Sequence, residues 1–140
     1  MSTVDYPATV ARCFAGTRDS VPQARAWLGR TLAKQGVTRS VGDDAALVLS
    51  ELATNAATHT RSAGPFGSYT VRVDLTQDRL VISVEDAGGP HHPHITTPDD
   101  LPDPLTESGR GLAMVALYAT RWWTTGNSNG RTITAELATS

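Results

Sequence analysis

Cysteine is almost missing from this sequence: Cys13 stands alone among 140 residues. No intramolecular disulfide can form, and the four-ligand thiolate zinc sites are excluded. A basic excess is missing too, since 12 Lys and Arg face 14 Asp and Glu for a net charge of -2. Nucleic acid and anionic lipid therefore find no general electrostatic foothold. No apolar run approaches the ~20 residues of a membrane span. The first seven residues, Met1 to Pro7, lack both the positive and the apolar part of a secretory signal. These absences lead us to expect a cytoplasmic protein that binds neither nucleic acid nor membrane. There is no internal repeat and no low-complexity tract. What is present, 39% hydrophobic and 19% charged residues, suits one globular domain, and a chain of this length buries about 68–70% of its unfolded surface. The expected unit is a single domain over residues 1–140.

In chain order, residues 1–8 read as a loose lead-in and Thr9 to Ala15 as a short edge strand. Ser20-Val-Pro-Gln23 supplies an N-cap, an early Pro and a Gln three residues on. Ala24, Trp27, Leu28, Thr31 and Leu32 then repeat at helical spacing until Gly36. The spacing predicts a helix over 21–35. Ser40-Val-Gly-Asp43 repeats the capping pattern and starts a long helix to about Thr60. Residues 61–68 read as a loop. Tyr69 to Leu75 and Leu80 to Asp86 alternate with period two around a four-residue connection, which predicts a hairpin. A second hairpin closes the chain, with strands over 121–125 and 131–137. Trp122 and Trp123 cannot both face its core, so one belongs at a rim or interface.

The long helix carries an unusual polar line. At about 100° per residue, Glu51 and Asn55 lie about 40° apart on one flank, with Thr58 and His59 on either side. Ala46, Leu49, Ala53 and Ala57 lie opposite. From Leu47 to His59 the only formal charge is Glu51, whereas an ordinary solvated helix face is rich in Lys, Arg and Glu. The line reads either as a helix end, where Thr and Asn are tolerated, or as the wall of a site.

Asp86 poses a similar choice. It follows Leu80, Ile82 and Val84 on the buried face of its strand, and a carboxylate there is costly unless a specific donor meets it. It either caps the turn made by Ala87-Gly88-Gly89-Pro90 or meets a ligand. Residues 87–108 form a Gly/Pro/His/Asp segment without periodicity, longer than most loops in compact domains. His91, His92 and His94 within it lack a distant second set of metal ligands and read as solvated, as do Asp99, Asp100, Asp103 and Glu107. The segment ends in Gly109-Arg110-Gly111-Leu112, where glycines open into a helix. Free N–H groups, the helix dipole and an Arg between two glycines suit a phosphate.

Glu51-xxx-Asn55-xxx-His59 on a helix, Asp86-Ala-Gly88 after a strand and Gly109-Arg-Gly-Leu112 at a helix start resemble, in that order, three motifs of one superfamily. They are the N, G1 and G2 boxes of the ATP-binding (GHKL) superfamily shared by gyrase, heat-shock chaperones, histidine kinases and MutL. The chain looks most like the small bacterial branch of anti-sigma-factor serine/threonine kinases, over about residues 9–137. The resemblance implies a two-layer α/β (α+β) sandwich of the Bergerat type. Its sheet would be mixed, mainly antiparallel and of about five strands, with three helices on one face. Residue by residue, it implies that Asn55 ligates Mg²⁺ on the ATP phosphates and that Glu51 acts as the base toward the attacking hydroxyl. It further implies that Asp86 accepts the adenine amino hydrogen and that Gly88 lets the backbone pass close to the purine. Gly109, Arg110, Gly111 and Leu112 would close over the phosphates beneath a lid at 87–108. Thr132 would help hold the adenine through water, while His59 matches the pattern with no assigned chemistry.

One departure is Pro90, which stands where the G1 pattern Asp-x-Gly-x-Gly has its second Gly; a Pro removes an N–H and fixes φ. From a length of 140 residues neither the phosphoacceptor domain of a histidine kinase nor the transducer domain of gyrase is expected. The resemblance therefore implies an ATP/Mg²⁺-dependent protein kinase of a partner-switching system. Such a kinase phosphorylates an anti-sigma-factor antagonist, sequesters a sigma factor in the competing state, and commonly forms a homodimer. The alternatives are a nucleotide-binding module without phosphoryl transfer, which Pro90 favours, and a scaffold that has lost nucleotide.

Overall fold

A computed structural model describes residues 8–59, 63–88, 115–127 and 129–139. The elements run β1 (Ala8–Gly16), α1 (Ser20–Lys34), α2 (Arg39–His59), β2 (Gly64–Leu75), β3 (Arg79–Asp86), β4 (Arg121–Asn127) and β5 (Gly130–Ala138). Residues 115–118 are helical as well. The strands form one sheet in the order β1-β2-β3-β5-β4, and all four pairings are antiparallel. The two-layer α/β sandwich with about five strands is thus present, and its described sheet contains no parallel pair.

The period-two pattern sets which face is covered. Val71, Val73 and Leu75 of β2 stand cross-strand from Val84, Ile82 and Leu80 of β3, which in turn face Ile133, Ala135 and Leu137 of β5. All nine are buried. Ala45, Val48, Leu49, Leu52, Ala53 and Ala56 of α2 close over them, with Ala24, Leu28 and Leu32 of α1 alongside. The small residues on α2 let its axis lie close to the sheet.

Several local readings change. α1 begins at Ser20, so Asp19 occupies the N-cap and makes no side-chain cap bond. The Ser20 hydroxyl turns inward instead: it donates to the Thr17 carbonyl at 2.8 Å, which leaves the Tyr69 hydroxyl to donate to it at 2.6 Å. At α2 the capping acceptor is Thr38 Oγ1, 3.4 Å from the Val41 N–H, rather than Ser40. β2 begins at Gly64, so residues 64–68, read as loop, are strand. Ala15 pairs with Ser68 and Gly16 with Gly64 across a bulge, and this tertiary pairing overrides the local Gly/Pro signal.

The two tryptophans divide between faces as their adjacency requires. Trp122, cross-strand from Ala135, lies on the helix side at the β4 edge. Trp123 lies on the other face, with the Arg121 guanidinium 4.7 Å from its ring centroid. That second face is polar. Its most buried acid, Glu136, receives hydrogen bonds from Arg121 Nε at 3.2 Å and Arg79 Nη1 at 3.4 Å.

Candidate functional site

The helix α2 carries Glu51 and Asn55 one turn apart. Asn55 is only 7% exposed and Glu51 is half-buried, so this part of the polar flank is not a fully solvated face. Burial raises the Glu51 carboxyl above the ordinary glutamate range. Farther along the same helix, Thr58 Oγ1 is buried with no hydrogen-bond partner among the described residues. An orphaned hydroxyl is a cost to the fold.

Across from this helix, β3 ends in Asp86, 5% exposed. It continues the buried series Leu80, Ile82, Val84, and α2 packs on that face of β3. The Gly88 N–H donates to Asp86 Oδ1 at 2.6 Å, and Gly88 has a φ of 75°, a left-handed conformation that suits glycine. The turn-cap reading of Asp86 therefore holds. One oxygen caps the turn, and the rest of the carboxylate stays buried on the helix side. Burial raises its pKa above the usual aspartate range, the Gly88 N–H and the Arg131 charge oppose that rise, and Glu85 adds to it.

Thr132 is placed apart from these residues. It stands cross-strand from the exposed Glu85 and from Thr125, on the face away from α2. The residue beside Asp86 on the helix face is Arg131, 5% exposed. Extending the alternation of Ile133, Ala135 and Leu137 back by one step would have found it. Gly109, Arg110, Gly111 and Leu112 lie outside the described residues, as do Pro90, His91, His92, His94 and all of the 87–108 segment beyond Gly88. The side chain of His59 is likewise outside them. Among the described residues no group of His, Cys, Asp and Glu could hold a metal ion by itself. No described helix is long and apolar enough to cross a membrane.

Residues 14–136 match the model of the histidine kinase-like ATPase domain. The chain belongs to that family. Among solved structures this histidine kinase-like ATPase domain is similar to "The crystal structure of the RsbU and RsbW domains of Rv1364c from Mycobacterium tuberculosis". The identity is 20% and the TM-score 0.67, over 93% of this chain and 32% of that one. This domain thus spans about a third of that chain, and at such identity the likeness shows a shared fold. No curated protein matches it.

The site residues fit an adenine nucleotide with its cation. A buried carboxylate held by a backbone N–H is an acceptor for an exocyclic amine. A buried amide on the facing helix is a neutral oxygen ligand of the kind Mg²⁺ takes in small number alongside water and phosphate.

Proposed function

We propose that this chain is an ATP/Mg²⁺-binding regulatory serine/threonine protein kinase. It would phosphorylate an anti-sigma-factor antagonist and, in the competing state, hold a sigma factor. Membership of the histidine kinase-like ATPase family supports the nucleotide, and the fold shared with a structure containing an RsbW domain supports the branch. The observation that carries the reading is Asp86, a carboxylate buried at a strand end where Gly88 holds one oxygen and α2 packs over the same face. Cytoplasmic location, homodimerisation and the protein partners belong to the same proposal.

Asp86 would bind the adenine amine and Gly88 would keep the backbone close to the ring. Asn55 would hold the Mg²⁺, and Gly109, Arg110, Gly111 and Leu112 would receive the phosphates. When bound, Mg²⁺ supplies neutralisation of phosphate charge, since phosphoryl transfer is chiefly positioning and charge stabilisation. Glu51 would orient the attacking hydroxyl and accept its proton. Its raised pKa makes it a stronger base once ionised.

Incubation with γ-labelled ATP and candidate antagonist proteins tests transfer. The kinase reading predicts label on an antagonist Ser or Thr, lost in Glu51→Gln while nucleotide still binds. Pro90 favours a second reading, a nucleotide-binding module that sequesters its partner without transfer. Tight Mg·ATP binding with no label on any antagonist would select it.

A further inference from the structure

Apart from Asp86, Arg131 is the only charged side chain buried on the helix face of the sheet among the described residues. An aliphatic residue would have continued Ile133, Ala135 and Leu137 without desolvating a charge, so the fold bears a cost at this position that packing does not require. The location accounts for it. Arg131 stands cross-strand from Asp86 on one side and from Gly126 on the other. A Cβ at Gly126 would lie 2.1 Å from the Gly130 oxygen and 3.0 Å from the Arg131 Cα. The hairpin therefore closes tightly on the Arg131 backbone and fixes the origin of its side chain.

We propose that Arg131 is a positioning residue for base selection: its buried positive charge keeps Asp86 a carboxylate, an acceptor only, and so commits the pocket to a purine with a 6-amino group. This rests on the nucleotide reading above. A 6-oxo purine turns an acceptor toward that position. An ionised carboxylate repels it, whereas a protonated carboxyl could donate to it. The charged groups acting on Asp86 are Arg131 on β5 and Glu85 on its own strand, in opposite senses, and the Gly88 N–H adds to the effect of Arg131. Glu51 on α2 is not among the groups that shift it. Glu85 is exposed on the other face, so Arg131 is the only one of these charges buried beside the carboxyl.

The test compares the affinities of Mg·ATP and Mg·ITP, which differ in the 6-substituent and its ring tautomer and share their phosphates, so phosphate titration cancels in the ratio. Wild type should prefer ATP, and that preference should depend less on pH between about pH 6 and pH 8 than in the uncharged variants. Arg131→Met should lose about tenfold of that preference at the acid end, the scale of one charge-assisted hydrogen bond, and recover it as pH rises. Arg131→Lys should restore the wild-type ratio throughout. Arg131→Gln is a second uncharged variant, and circular dichroism establishes that each variant is folded. A wild-type ratio and pH profile in both uncharged variants would overturn the role given to Arg131 while leaving the nucleotide reading intact. Binding of neither nucleotide by wild type would overturn the reading itself.

Discussion

Glu51 and Asp86 are both carboxyls whose pKa is raised by burial, and the sign of that shift has a consequence for stability. A carboxyl with a folded-state pKa above its unfolded value favours the fold at low pH, and this contribution is lost as pH rises through the folded pKa. At neutral pH each acid therefore opposes folding. Glu51→Gln should raise the thermal midpoint of the unliganded protein at pH 7. The gain should shrink as the pH is lowered and the wild-type acid becomes neutral; each 1 kcal/mol is about 2–4 °C for a domain near this size. Melting curves across pH check this, and a variant less stable than wild type at pH 7 would count against a desolvated Glu51. Asp86 was legible in the sequence because three aliphatics at period two precede it. Arg131 was not, because the family pattern drew attention to the hydroxyl of Thr132, and β-register then placed that hydroxyl on the other face.

Secondary-structure elements were legible where periodicity is strong and less so at their ends. The buried runs of α1, α2, β3 and β5 follow from apolar spacing alone. The start of β2 depends on pairing with β1, which no local signal encodes; the α1 cap moved to Asp19 while the Ser20 hydroxyl turned to Thr17 and Tyr69, and the α2 capping acceptor is Thr38. Glycines show the same division between local and tertiary control. Gly29 lies within α1 with nothing within 4 Å of a built Cβ, so Gly29→Ala should stabilise by about 0.5–1 kcal/mol. Gly126 has a φ of 94° and a built Cβ 2.1 Å from a carbonyl oxygen. Gly126→Ala should therefore destabilise by about 2 kcal/mol or more, with strain at the β4–β5 turn. Urea denaturation of the two variants should show shifts of opposite sign.

On the scale of the molecule, one face of the antiparallel sheet is covered by α1 and α2, and the carboxylate at the end of β3 lies on that covered face. The acid is buried on the side where the core is built, and the helix packed over the same strand carries the buried amide of Asn55. The resemblance in three short motifs anticipated the family. Those motifs could not show that a buried guanidinium stands beside the acid.

The central claim is that Asp86 binds the base of an adenine nucleotide. The most direct measurement is the Mg·ATP dependence of the thermal midpoint for wild type and Asp86→Asn, since a ligand that binds only the folded state raises stability with its concentration. The wild-type midpoint should climb with Mg·ATP, and the variant should need at least about ten times more nucleotide for the same shift, the loss expected for one charge-assisted hydrogen bond. Equal shifts in the two proteins, or none in wild type, would contradict it.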